Sequence, residues 1–131
     1  MIEQICGATR KEVFDYVASE YGTQPEHPWM DLPEYAVLRH PGGKWYGVVM
    51  YVRGDRLGIG GEDFHDILVF KCPPELHPAL LARKGFLPAY HMNKLNWLAV
   101  LLDGSVPADE VKGLVDLSYS LVDERARRRR G

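Results

Sequence analysis

The chain has 131 residues, a formal net charge of −2, 46% hydrophobic residues and 26% charged ones, the balance of one ordinary globular domain. Its longest apolar stretches, Trp97–Leu102 and Tyr46–Val52, fall far short of the roughly 18 residues of a membrane span. Glu3 and Arg10-Lys11-Glu12 interrupt any signal-peptide apolar region, and Cys6 and Cys72 form no CxxC pair. No membrane partner, disulfide scaffold, zinc site or other cofactor is therefore expected, and a cytoplasmic monomer is.

In chain order, Thr9-Arg10-Lys11-Glu12 reads as a capping box, with Val13, Phe14, Val17, Ala18 and Tyr21 at helical spacing behind it and Gly22 as a stop. Gln24–Pro33 holds three prolines and reads as a loop whose Trp29 and Met30 fold back onto the core. Glu34–His40 is predicted as a strand, Pro41-Gly42-Gly43 as a turn, and Lys44–Arg53 as a second strand. The four glycines of Gly54–Asp63 predict a turn or long hairpin loop. Phe64–Cys72 is the third strand, and Pro73-Pro74 opens a short helix through about Lys84, closed by Gly85. Phe86–Lys94 reads as an irregular or extended approach to a fourth strand, Leu95–Leu102. Asp103-Gly104-Ser105 then turns into a final helix capped by Ser105 or Val106, with Pro107 in its first turn. Val111, Leu114, Val115, Ser118, Leu121 and Val122 form its apolar stripe. The order predicts an α+β fold, with a mainly antiparallel sheet of about four or more strands and the terminal helices on one face. The other face is then open.

Several segments resemble the signatures of the MmcQ/YjbR family. Gly42-Gly43-Lys44-Trp45-Tyr46 with Val48-Val49-Met50 is similar to the first, and Lys71-Cys72-Pro73-Pro74-Glu75 to the second. Pro88-Ala89-Tyr90-His91-Met92-Asn93-Lys94, Trp97, Leu102 to Pro107 and Ser118-Tyr119 are similar to the third. The likeness spans about residues 36–122 and departs from the pattern at Leu95-Asn96, where a basic residue and then histidine are expected. The resemblance implies a CyaY-like (frataxin-like) sandwich and a DNA-binding "double wing", with no activity firmly attached.

Charge divides unevenly along the chain. Residues 38–94 hold eight basic and five acidic groups, while residues 1–37 and 95–124 are both strongly acidic. Residues 1–124 are expected to form the domain. The Arg-rich tail at 125–131 is expected to be disordered, either as a solvated extension or as a nucleic-acid arm.

An antiparallel meander would bring the end of the first strand (Arg39, His40), the start of the second (Lys44) and the end of the third (Lys71) to one sheet edge. An antiparallel fourth strand would add His91, Asn93 and Lys94; a parallel one would send them to the opposite end. That edge, with the helix start after Pro73, is the candidate site for DNA phosphates or a small anion. The alternative is a set of separate surface lysines, with Asn93 and Tyr90 bonding the backbone of an irregular segment. Trp45, Tyr46, Tyr51 and Trp97 offer aromatic surface among the basic residues, as in a single-strand binder. Strand alternation divides them between faces.

No catalytic residue is expected. Cys72 lacks a recognisable triad and reads as a small buried hydrophobe. Gly58-Ile59-Gly60-Gly61 is a turn rather than a phosphate loop. Glu12 and Asp15 share a helix face but Glu20 does not, so no acidic ridge for iron forms. The expected function is weak, salt-sensitive DNA binding without catalysis. The alternatives are a protein-interaction adaptor using the open sheet face, or a small anionic ligand at Lys44, Lys71, His91 and Lys94.

Overall fold

Thr9 opens the first helix as its pattern requires. In the computed structural model, which describes residues 7–123, the Glu12 amide donates to the Thr9 hydroxyl oxygen at 3.3 Å. A short strand β1 (Gly7–Thr9) leads into helix α1 (Arg10–Tyr21), which Gly22 ends at φ 68°, a left-handed conformation that costs glycine little. The N-terminal residues and the arginine tail expected to be disordered lie outside the described residues.

Strands β2 (Ala36–Arg39), β3 (Trp45–Arg53), β4 (Phe64–Lys71), β5 (Phe86–Pro88) and β6 (Trp97–Leu101) form one sheet in the order β2-β3-β4-β6-β5, every neighbour antiparallel. Strand β7 (Asp103–Pro107) pairs with β1 and leads into helix α4 (Ala108–Val122). Helices α1 and α4 lie on one sheet face, over a core that includes Leu38, Tyr46, Val49, Leu68, Phe70, Leu98 and Val100. The architecture is α+β.

The second face is not open. Val48, Met50, Ile67, Val69 and Ala99 are buried on it beneath Trp29 of the proline-rich loop, Tyr35 just before β2, and Tyr90 and Met92 of the approach to β6. The central strands are thus covered on both sides, which is why Ile67–Phe70 is a continuous apolar run rather than an alternating one. The face an adaptor was expected to use is therefore covered by loop side chains rather than bare.

Three further expectations are corrected. Asp103-Gly104-Ser105 is part of β7, because Gly7 and Gly104 let two backbones nearly touch: a Cβ on Gly7 would stand 2.2 Å from the Gly104 carbonyl oxygen. Pro107 consequently sits at the N-cap of α4 rather than within its first turn. Gly54–Asp63 contains a four-residue helix, α2 (Gly54–Leu57). The helix after Pro73 divides into a 3-10 turn, Pro74–Leu76, and a five-residue α3, His77–Leu81.

The β2–β3 ladder contains a register shift: Leu38 faces Gly47 but Arg39 faces Trp45. Tyr46 is the extra residue of a β-bulge, so Tyr46 and Gly47 both point toward the helices and Trp45 points to the other face. Gly47 has no room for a side chain, since a Cβ there would meet Leu38 Cδ1 at 3.0 Å and Leu68 Cδ1 at 3.3 Å. The bulge is fastened from above by Ser118 of α4. Its hydroxyl donates to the Tyr46 carbonyl at 2.6 Å and accepts from the Lys71 amide at 2.8 Å.

Ser118 is fully buried, so Ser118→Ala leaves a carbonyl and an amide without that partner and is expected to cost about 1–3 kcal/mol. Ser120→Ala removes only a hydroxyl bonded to Leu117 within the same helix and should change stability by under about 0.5 kcal/mol. Urea unfolding of both variants measures the difference; equal midpoints would show that the bulge needs no fastening.

Candidate nucleic-acid interface

Strand register delivers the basic residues to one end of the sheet. Strand β2 ends at Arg39 opposite Trp45, and β4 ends at Lys71 opposite Trp97, the first residue of β6. Strand β6 runs antiparallel to β4, so His91, Asn93 and Lys94 arrive at that same end. Alternation along β4 from Ile67 and Val69 places Lys71 on the second face, where Trp97 also packs. Across β2, β3, β4 and β6 that face therefore presents Arg39, Trp45, Lys71 and Trp97 in order, a cation beside each ring.

The side chains of this end do not form one cluster. Arg39 is clamped by Glu26, with Nε and Nη2 donating to its carboxylate at 2.9–3.1 Å. The guanidinium carbon lies 6.0 Å from the Trp45 ring centre, a geometry favourable for cation–π attraction. The hydrogen bonds from Arg39 hold the Glu26 carboxyl below the ordinary carboxylate range. Lys44 and Lys94 are exposed, and Lys71 is half-buried.

His40 belongs to the opposite face. Its ring packs 4.7 Å from Tyr119, Nδ1 accepts from the Gly42 amide at 2.8 Å, and Nε2 lies 3.7 Å from Asp123. Asn93 organises the backbone: its Oδ1 accepts from the Leu95 and Asn96 amides. The helix start after Pro73 contributes only a 3-10 turn at this end.

His91 stands at φ 61°, a conformation uncommon for a residue with a side chain. Its ring lies 4.0 Å from that of Tyr90 and lines a cavity of about 260 Å³ with Trp29, Tyr35, Trp45, Met50 and Met92. Trp29 meets Tyr35 at 6.0 Å and Trp45 at 5.9 Å, both nearly perpendicular. These rings form walls set at right angles rather than a filled stack. The proline-rich loop signalled that Trp29 folds back, as it does, whereas Met30, expected to fold back with it, is 97% exposed. That Trp29 walls a half-open cavity with Trp45 depends on the bulge at Tyr46, which carries no local motif.

Cys72 is buried, and burial followed by the charge of Glu75 pushes its thiol up to about 11, far from the thiolate a nucleophile requires. Among the described residues no group of three or more His, Cys, Asp and Glu side chains is placed to hold a metal ion. No helix among them is long and apolar enough to cross a membrane.

The YjbR family model matches residues 18–121. The chain is 41% identical to the Bacillus subtilis (strain 168) protein YyaQ over 114 residues, covering 86% of this chain and 97% of that one. It is 42% identical to Escherichia coli (strain K12) YjbR over 50 residues, which is 37% of this chain and 42% of that protein. A crystal structure of a Pseudomonas syringae protein superposes with a TM-score of 0.83 at 40% identity, covering 86% of this chain and 97% of the other. A Deinococcus radiodurans protein follows with a TM-score of 0.62 at 25% identity, over 88% and 78%.

Between helices α1 and α4, the Tyr16 and Tyr21 hydroxyls both donate to Asp116 at 2.5–2.9 Å. Burial, and then the bond to Asp116, push Tyr16 up to about 12; burial pushes Tyr46 up to about 12 as well. An unfolded tyrosine ionises near pH 10. The stabilisation from keeping these hydroxyls protonated is therefore complete below about pH 10 and lost as pH rises toward 12. Ultraviolet titration of the seven tyrosines should show a group that ionises only as the chain unfolds above pH 11. A single transition near pH 10 in folded protein would contradict this.

Proposed function

The chain belongs to the YjbR family, and from that premise we propose that it is a non-catalytic, cytoplasmic, monomeric DNA-binding protein of CyaY-like fold. It holds phosphates weakly at the β2–β3–β4–β6 end of its second sheet face. The observation that carries this reading is the alternation of Arg39, Trp45, Lys71 and Trp97 across four adjacent strands. Exposed Lys44 and Lys94 flank that row. Cations position a phosphate backbone without reading sequence, and interleaved rings add base-independent contact.

Charge supports the same face. Helices α1 and α4 carry Glu12, Asp15, Glu20, Asp109, Glu110 and Asp116 against Arg10, Lys11 and Lys112. The helical layer therefore repels a polyanion while residues 38–94 attract one. Asn93 acts by shaping the turn that presents Lys94, and His40 by anchoring the Pro41–Gly43 turn that presents Lys44.

Fluorescence anisotropy with a short random duplex over a salt series tests the reading. Lys44→Gln, Lys71→Gln and Lys94→Gln should each weaken binding and reduce the slope of log affinity against log salt by about 0.9. A chain ending at residue 124 should keep part of the wild-type slope. Binding that vanishes with the tail, or slopes unmoved by all three substitutions, would place the phosphates elsewhere.

A further inference from the structure

The cavity on the second face has more definite chemistry than the phosphate rim beside it. Trp29, Tyr35 and Trp45 wall it with rings at right angles, and Met50 and Met92 add polarisable sulfur. Buried Val48 forms its floor, and exposed Leu32 and His91 stand at its rim. A dry cavity of roughly 150 Å³ holds benzene, so about 260 Å³ has room for a larger flat ring system. Thioether sulfur and perpendicular aromatic walls favour a flat aromatic occupant over a branched aliphatic one.

The surroundings specify what that ring carries. Trp45 is flanked in sequence by Lys44 and covered on its face by Arg39. Two residues separate His91 from Lys94, and no carboxylate is among the lining residues. Arg39 is held by the Glu26 carboxylate, so exposed Lys44 and Lys94 are the cations that would favour negative charge attached to an occupant outside the cavity. His91 supplies the one polar side chain besides the Tyr35 hydroxyl and the indole N–H groups that can select among ring edges.

We propose that this cavity receives one unpaired nucleobase, with its phosphate on the adjoining basic rim. The inference rests on the phosphate-binding reading above for the strand itself, but the ring site stands on its own geometry. A paired base cannot enter, because its ring lies within the helical stack; entry requires a single strand, a flipped base or a free nucleotide. His91 holds the rim in a left-handed turn, and the Glu26–Arg39 clamp holds the loop that carries Trp29 against β2 through the paired Glu26 and Val37 backbones.

The test uses the full chain, with tryptophan fluorescence and anisotropy at one low salt concentration. The probes are a short oligothymidylate, an abasic strand of equal length, a duplex of equal length and thymidine monophosphate. Base–aromatic stacking predicts that oligothymidylate binds at least about fivefold tighter than the abasic strand. Trp29→Leu should remove that advantage. Because loss of a wall can loosen the fold, His91→Gly is the second variant: glycine accepts the left-handed turn without strain, so the chain stays folded while the rim loses its ring. It should lower affinity for oligothymidylate severalfold and leave the abasic strand unaffected.

Competition by thymidine monophosphate supports the proposal with a free nucleotide as sufficient occupant. Base-dependent binding without such competition supports it with the strand as the source. Equal affinity for base-bearing and abasic strands, without quenching by the monophosphate, overturns the base site while duplex binding keeps the phosphate reading alive. Failure of every oligonucleotide to bind overturns the phosphate reading. In that case quenching by the monophosphate would retain the ring site, and its absence would overturn that too.

Discussion

A single buried hydroxyl governs the arrangement of this molecule. Ser118 donates to the Tyr46 carbonyl and accepts from the Lys71 amide, which ties helix α4 to the two central strands at the point where β3 bulges. A bulge leaves backbone polar groups outside the ladder, and burying them without partners is costly. Ser118 supplies both partners at once. The bulge can therefore exist inside the core instead of at an exposed edge.

Its consequence is a change of parity. Counting alternate residues back from Val48 on the second face would put Tyr46 beside it and Trp45 under the helices. The extra residue reverses both assignments. Tyr46 instead enters the helical core, where its hydroxyl meets Thr23 at 2.5 Å and its ring packs against Tyr21 and Tyr119. Trp45 emerges on the second face to meet Arg39 and Trp29. The row of alternating cations and rings, and the aromatic cavity beside it, both depend on that reversal. The helical face, with its carboxylates and buried tyrosines, is chemically the opposite of the face where His91 and Lys94 are presented.

Much of this was legible in the residues themselves. The Thr9 cap, the Gly22 stop, the apolar stripe of α4 including Ser118, and the three central strands follow from local periodicity and capping chemistry. Such features depend on a residue and its near neighbours. Strands β1 and β7 were not legible, because each is short and exists only through the close passage of Gly7 and Gly104. The cover on the second face was hidden for a related reason: loops carry no period, and only tertiary packing shows that Trp29 and Met92 shield Val48 and Val69. Arg39, His40 and His91 could be assigned to one end of the sheet from the antiparallel order. Which face Trp45 and Tyr46 take could not be assigned, since one inserted residue inverts the alternation of β3 and leaves no mark in composition.

The central claim is that one end of the second face is where this protein meets nucleotides, and amide chemical-shift mapping by nuclear magnetic resonance tests it most directly. On addition of a short oligothymidylate, the amides of Trp29, Trp45, His91, Met92 and Lys94 and both perturbed indole N–H signals should shift together. Those of Tyr51, Phe64 and the helical carboxylate face should stay in place, because β3 and β4 carry Tyr51 and Phe64 to the opposite end of the sheet. Shifts concentrated on α1 and α4, or an unchanged spectrum around Trp45 and His91 with the oligonucleotide bound, would contradict the account.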